Sequence, residues 1–203
     1  HISAVARIVK KFNIKTGGQN CSVAGSAANT GEISCEMLLD MGCSHVIVGH
    51  SERRSLHGET DALVAKKYSA ALDVGLTPIL CVGESLEQHS SGETEVVVVG
   101  QLSSVRETVG LGGLCSGIIA YEPLWSIGTG RAALPLKVQS VHETIRSCLG
   151  DEGAKTRIIY GGSLNSENSA AMFAEKDIDG GLVGGASLQA EDFLQIIKMA
   201  ERL

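Results

Sequence analysis

Residues 46–54 read VIVGHSERR, and this stretch shows the pattern that decides the fold. Three consecutive β-branched apolar residues are typical of a strand that is buried on both faces. A glycine ends the run, and a polar segment suited to a helical turn follows it directly. Buried strands that alternate with helical patterns predict parallel βα units.

The same alternation continues along the chain, with strands spaced about 30 to 40 residues apart. We predict strands at Phe12–Gly18, His45–Gly49, Thr77–Gly83, Gly117–Tyr121, Arg157–Tyr160 and Gly181–Val183. We predict helices at Ser34–Met41, Glu59–Val74, Glu93–Val109, Pro135–Leu149, Asn165–Glu175 and Ala190–Leu203, and residues 1–11 read as the end of a further helix. No linker or change in composition divides residues 1–203, so we expect a single domain.

Two α/β architectures fit this order of elements. A (β/α)₈ barrel typically needs about 250 residues, whereas the sequence has 203 residues and begins at His1 without a methionine. We therefore expect a (β/α)₈ barrel that is incomplete at its N-terminus, with about six of the eight βα units present. An open, doubly wound parallel sheet remains the alternative, because the spacing of the elements does not distinguish the two.

Composition and charge exclude several functional classes. The formal net charge is −6 and no basic run occurs, so we expect no nucleic-acid or membrane-surface partner. The longest apolar run, Val96–Val99, is too short to cross a membrane, and we recognise no secretory leader. Six cysteines without a C-x-x-C pair or a zinc-like cluster predict reduced, buried thiols, a cytoplasmic location and no metal.

His50 stands where the strand at residues 46–48 ends and a helical turn begins. The positive end of a helix dipole favours the neutral imidazole. A neutral imidazole can donate a hydrogen bond to a carbonyl oxygen. The alternative that stays open is a histidine that only caps the helix, beside a solvated surface of glutamate and arginine.

Glu122 ends the buried strand Gly117–Tyr121, at the position where a parallel barrel carries catalytic side chains. The apolar residues that follow would shield the carboxylate from water and make it a stronger base. Residues 123–133 have a rigid proline at one end and small residues at the other, which is typical of a hinged lid. An ordinary surface loop with one buried aromatic is the alternative.

Two glycine-rich turns, Tyr160–Ser163 and Leu182–Ser187, follow the last two predicted strands. Backbone amides in such turns form concave anion sites, and a short helix after the last strand would add its N-terminus. A single Gly-Gly pair is usually only a turn. Two pairs at neighbouring strand ends indicate a phosphate site.

Together these segments resemble the triosephosphate isomerase family, in the order and at the spacing of that family. The resemblance rests on Gly49–Arg54, Tyr121–Gly130, Tyr160–Ser163 and Leu182–Ser187, with weaker similarity at residues 19–20, 30–32 and 80–84. It extends from about residue 19 to the C-terminus.

The resemblance implies a (β/α)₈ barrel that interconverts dihydroxyacetone phosphate and glyceraldehyde 3-phosphate without a metal or an organic cofactor. Glu122 would be the base, His50 the neutral electrophile and Glu52 a supporting group; this family is itself a familiar example of such a pair and of loop closure. The implied phosphate-binding residues are Gly128, Ser163, Gly184 and Gly185. The implied lid consists of Pro123, Leu124, Trp125, Ser126, Ile127, Gly128, Thr129, Gly130, Arg131, Ala132 and Ala133.

The sequence departs from the family pattern in its N-terminal part. The first unit of the family carries a lysine in an Asn-Trp-Lys segment, and residues 1–203 contain no such segment. We therefore expect the unit with this lysine to lie outside the sequence. Two alternatives stay open: an inactive phosphate-binding barrel fragment, and a barrel enzyme that acts on another phosphorylated sugar.

A second departure concerns assembly. The resemblance implies a homodimer in which an aromatic just before Thr30 inserts into the neighbouring subunit. Residues 27–29 of this chain read Ala-Ala-Asn. Asn29 in place of an aromatic anchor would weaken that interface, so the expected partners are a small phosphorylated triose and, more weakly held, a second copy of the chain.

Overall fold

The computed structural model describes residues 1–25, 27–127 and 133–201. Parallel strands alternate with helices, so the predicted α/β class is confirmed. Contacts group the chain into two units, residues 1–80 with 103–117 and residues 81–102 with 118–203. One strand and one long helix each pass from one unit into the other. The single domain expected from the sequence stays a prediction.

The secondary structure is as follows. The strands are β1 (Gly17–Gly18), β2 (His45–Val48), β3 (Thr77–Val82), β4 (Ile118–Tyr121) and β5 (Ile158–Tyr160). The helices are α1 (Ile2–Val9), α2 (Cys35–Asp40), α3 (Ser51–His57), α4 (Asp61–Asp73), α5 (Leu86–Ser90), α6 (Thr94–Cys115), α7 (Pro135–Leu149), α8 (Ser169–Phe173) and α9 (Ala190–Ala200). Short 3₁₀ helices occupy Leu124–Ser126, Gly150–Lys155 and Gly185–Leu188.

The first unit is built on β1, β2 and the first part of β3, which pair in parallel. Val46 and Val48 of β2 are fully buried, whereas His45 and Ile47 on the opposite face are only partly buried, so the strand is not fully covered on both faces as the VIV pattern predicts. Helix α4 carries Tyr68, which is fully buried in the same unit. The Tyr68 hydroxyl donates a hydrogen bond to the carbonyl oxygen of Leu114 at 2.8 Å. Thr60 caps the start of α4 by accepting a hydrogen bond from the Leu63 N–H.

The second unit is built on the end of β3 and on the parallel pair β4 and β5. All four residues of β4 are buried, and the N–H of Glu122 donates to the carbonyl of Val82 at 2.7 Å. On the other edge of β4, Tyr121 pairs with Tyr160 of β5. The carboxyl end of β4 therefore lies between the carboxyl ends of its two neighbours, which is where parallel sheets bind ligands.

Two predicted strands differ from the structure. The strand expected at Phe12–Gly18 is limited to Gly17–Gly18, because Phe12 closes a turn onto Val9 after α1 and is more than half exposed. The strand expected at Gly181–Val183 is only a single bridge between Gly181 and Tyr160. Of the first segment, only Gly17 and Gly18 pair with a neighbouring strand. The second segment does have a neighbour, but its backbone bonds with Tyr160 are limited to Gly180 and Leu182.

The predicted helix bounds hold best where the end signals are strong. Helix α7 matches its prediction, whereas α6 continues past Val109 to Cys115 through a break at Gly110, where φ is +74°. Helix α8 is shorter than Asn165–Glu175, since Asn165 Oδ1 accepts from two following N–H groups and holds a turn instead. Helix α5 was not predicted, although a capping box of Ser85 and Gln88 marks its start.

The N-terminal helix and the last helix also have shorter bounds than the sequence suggests. Helix α1 ends at Val9 and α9 ends at Ala200, while residues 202–203 of the predicted last helix lie outside the described residues. In the described part of the chain, no helix combines the length and apolar character needed to cross a membrane. None of the six cysteines, all within the described residues, forms a disulfide, and four of them are buried and two partly exposed.

Candidate active site

Glu122 follows β4 directly and is 1% exposed. Its backbone is held by the bond to Val82, and the neighbouring carbonyl of Tyr121 accepts from the N–H of Gly161 at 2.8 Å. Both bonds continue the pairing of parallel strands one step beyond β4. The carboxylate is therefore carried on a rigid strand end and is removed from bulk water, as the sequence predicts.

Gly83 and Gly161 make room for this glutamate. A Cβ at Gly83 would lie 1.9 Å from the carbonyl oxygen of Glu122, and a Cβ at Gly161 would lie 2.9 Å from Glu122 Cγ. Neither space admits a side chain without moving the glutamate. The Gln101 side chain also fixes Gly83, accepting from its N–H at 2.8 Å and donating to its carbonyl at 3.1 Å.

A second buried carboxylate, Glu84, anchors the residues after Glu122. Glu84 is 0% exposed and accepts from the Trp125 indole N–H at 2.9 Å and from the Tyr121 hydroxyl at 3.1 Å. Its backbone carbonyl also accepts from the N–H of Leu124 at 3.1 Å. Burial, and then the nearby Glu84 charge, raise the pKa of Tyr121 well above its usual range, so the phenol stays a donor.

Glu84 is not among the site residues expected from the sequence. Its position was informative all the same, because a glutamate directly after the Val-Gly end of a buried strand lies at the same edge as Glu122. Only the folded chain shows that its partners are Tyr121 and Trp125, which are distant from it in sequence.

The described ends of the predicted lid meet at Tyr160. Its hydroxyl lies 3.2 Å from Ser126 Oγ and accepts a hydrogen bond from the backbone of Ala133. Of the predicted lid, the structure describes Pro123 to Ile127, with Leu124–Ser126 in a 3₁₀ turn, and Ala133. The predicted lid residues Gly128, Thr129, Gly130, Arg131 and Ala132 lie outside the described residues.

Three predicted phosphate ligands lie in described parts of the second unit. Ser163 is bonded to the start of the lid segment: its N–H donates to Ser126 Oγ at 3.4 Å, and its hydroxyl donates to the Ser126 carbonyl. Gly184 and Gly185 begin the 3₁₀ helix Gly185–Leu188, as the sequence predicts for a short helix after the last strand position. A Cβ at either glycine would meet no atom within 4 Å, so the space beside both is open.

His50 and Glu52 belong to the first unit. His50 is the N-cap of α3, and its Nδ1 accepts from the N–H of Glu52 at 3.3 Å. A neutral imidazole that accepts at Nδ1 carries its hydrogen on Nε2. The Glu52 carboxylate is mostly exposed and lies 4.0 Å from His50 Nδ1.

The two arginines after His50 form ion pairs and are only partly exposed. Arg53 donates to the buried Glu59 at 2.5 Å, and Arg54 donates to the Gly49 carbonyl at 2.8 Å and to Asp61. Although burial opposes the charged form of Glu59, Lys67 and Arg53 hold its pKa below the usual value. This cluster fixes the start of α3, and so the position of the capping histidine.

Comparison with known proteins decides which family these sites belong to. The family model described as triosephosphate isomerase matches residues 1–200. The chain belongs to the triosephosphate isomerase family. Family membership makes the chain an isomerase and assigns it the (β/α)₈ barrel fold, with the α/β order of elements seen here.

Curated relatives agree along almost the whole chain. Triosephosphate isomerase of Alcanivorax borkumensis is 48% identical over 202 residues, which cover 98% of this chain and 82% of the relative. Those of Thiobacillus denitrificans and Ruthia magnifica are each 50% identical, with 100% and 98% of this chain and 83% and 82% of the relative covered. These relatives favour the isomerase over the inactive phosphate-binding alternative.

Proposed function

We propose that Glu122 is the base of the family's reaction, the interconversion of dihydroxyacetone phosphate and glyceraldehyde 3-phosphate. The observation that carries this proposal is a buried carboxylate on a strand end that is hydrogen-bonded on both sides. Such a carboxylate can take a proton from one substrate carbon and return it to the next with little reorganisation. The intermediate between the two transfers is an enediolate.

His50 is proposed as the electrophile. With Nδ1 held by the N–H of Glu52, the Nε2–H of the neutral ring can donate to a substrate oxygen. A neutral donor polarises a carbonyl and stabilises the enediolate without transferring a full charge. Glu52 supports this arrangement through its backbone N–H, which is the group that contacts the imidazole.

The phosphate is proposed to bind at the second glycine-rich turn. Open space beside Gly184 and Gly185 and the start of the 3₁₀ helix support this placement. The long bond from the Ser163 N–H to Ser126 Oγ can be exchanged for a stronger one to a phosphate oxygen. Gly128 is included on the family resemblance alone.

The decisive experiment is Glu122→Asp in an isomerase assay. The shorter side chain withdraws the carboxylate by about 1.5 Å, and a misplacement of about 1 Å costs on the order of 100-fold in rate. We expect kcat to fall by roughly that factor while KM changes little. Glu107→Asp, on the exposed face of α6, is the matched control. An unchanged kcat in Glu122→Asp would show that another group is the base.

A homodimer is proposed as the working assembly. The loop that would contact a second copy extends from Ser22 to Ile33, which are joined by a backbone bond of 2.8 Å, and its tip near Asn29 is exposed. Sedimentation velocity over a range of protein concentrations tests this: a mass that stays monomeric throughout contradicts it. We also propose a cytoplasmic location, which is supported by six described cysteines of which none forms a disulfide.

A further inference from the structure

His89, on helix α5, makes an unusual set of contacts with the residues after Glu122. Its ring stacks on Trp125, with centroids 4.4 Å apart and planes inclined by 28°. Its Nδ1 lies 3.2 Å from Glu84 Oε1 and 3.3 Å from Thr94 Oγ1. Because the carboxylate can only accept, Nδ1 carries the hydrogen in both charge states of the ring, and Nε2 is the atom that gains or loses a proton.

Glu84 supplies the negative charge in this group of contacts. Its carboxylate is fully buried, and the two other side chains bonded to it, Tyr121 and Trp125, are neutral donors. Within residues 1–25, 27–127 and 133–201, His89 is the one base with a nitrogen within 4 Å of this carboxylate. A buried carboxylate is costly unless its charge is compensated.

The groups around His89 define which charges can act on it. Glu84 faces it from the end of β3, Trp125 from the 3₁₀ turn and Thr94 from the start of α6. Tyr121 of β4 shares Glu84, and its phenol stays protonated. On its own helix, Glu87 is exposed to solvent.

We propose that His89 is a positioning residue that, when protonated, clamps the turn Leu124–Ser126 against Glu84. The charged ring adds an ion pair to Glu84 and a cation–π contact to Trp125, whereas the neutral ring keeps only a hydrogen bond and stacking. The turn begins two residues after Glu122, so a firmer turn holds that carboxylate more firmly. Only the kinetic consequence rests on the proposed function; the clamp itself does not.

Trp125 reports directly on the clamp, because it is the single tryptophan of the sequence. A protonated imidazole in contact with indole quenches its fluorescence. We expect tryptophan emission to fall as pH is lowered from about 8 to about 5. His89→Gln should abolish this step, and so should His89→Arg, whose charge does not change in this range. His57→Gln, at the exposed end of α3, should show the same step as the parent.

Steady-state kinetics over the same pH range give the second readout. A cation–π contact at a partly exposed site corresponds to a change of about two- to five-fold. We expect the ratio of kcat in the parent to kcat in His89→Gln to rise by that factor as pH falls, with KM unchanged. His89→Arg should restore the higher kcat, and kcat should no longer depend on protonation at position 89.

Two results would overturn the clamp: parent emission that does not change over this range, or an equal emission step in His89→Gln. If kcat responded to pH equally in the parent and in His89→Gln, the clamp would have no link to the reaction. If Glu122 is not the base, the result differs: Glu122→Asp would retain kcat, and the fluorescence step that depends on His89 would stay intact.

Discussion

His142 should make the protein lose stability in mild acid. The imidazole is fully buried on α7, its Nδ1 lies 2.9 Å from the carbonyl oxygen of Asp177, and its ring meets Tyr121 edge-on at 5.9 Å. A carbonyl only accepts, so Nδ1 carries the hydrogen. Burial lowers the pKa of His142 from 6.5 to about 4, against the smaller opposing effects of Asp177 and Asp179.

The size of the effect follows from linkage. Above pH 6.5 the ring is neutral in both folded and unfolded chains, so it adds no pH dependence. As pH falls below 6.5 the unfolded chain takes up a proton that the folded chain does not, and stability is lost until about pH 4. A pKa of about 4 in place of 6.5 corresponds to about 3 kcal/mol.

Urea unfolding at a series of pH values from about 7.5 to about 4.5, comparing the parent with His142→Asn, measures this loss. The asparagine amide can still donate to Asp177 but cannot titrate, so its own cost is constant with pH. The parent should lose about 2 to 3 kcal/mol more than the variant over this range. Parallel curves for the two proteins would refute a neutral, buried His142.

Two further substitutions test the geometry around Glu122. Gly83→Ala should lower kcat by about 100-fold, because its methyl group would displace the Glu122 carbonyl. Gly100→Ala is the control: its methyl group would meet no atom within 4 Å, so kcat should be unchanged. Equal kcat values for the two variants would contradict the close approach of Gly83 to Glu122. Tyr160→Phe should lower kcat by about five-fold by releasing both ends of the lid segment, at a stability cost of about 1 kcal/mol. Tyr68→Phe should cost similar stability without a change in kcat, and a matching loss of kcat there would indicate a general effect of lost hydroxyls.

Local signals predict the elements whose ends they mark. Helix α7 begins at the proline that the sequence offers as its first residue, and His50 caps α3 after the left-handed Gly49. The strand expected at Phe12–Gly18 fails because alternation of apolar residues does not guarantee a neighbouring strand. At Gly181 a neighbouring strand is present, but the pairing ends after one bridge.

The positions of the candidate catalytic residues could be predicted because strand ends and glycine turns are local features of the sequence. Glu122 at a buried strand end and His50 at a helix start follow from adjacent residues, and the order of the motifs indicates the family. The sequence by itself therefore determined the α/β class, the alternation of units and the candidate base and electrophile.

Tertiary structure alone decided which groups support them. The contacts of Glu84 with Trp125 and of Tyr160 with Ser126 join residues more than 30 positions apart. His89 lies in a helix that was not predicted from the sequence, and only the fold brings its ring onto Trp125. The physical reason is that side-chain hydrogen bonds, stacking and burial depend on distances in space, which chain folding sets and local patterns do not encode.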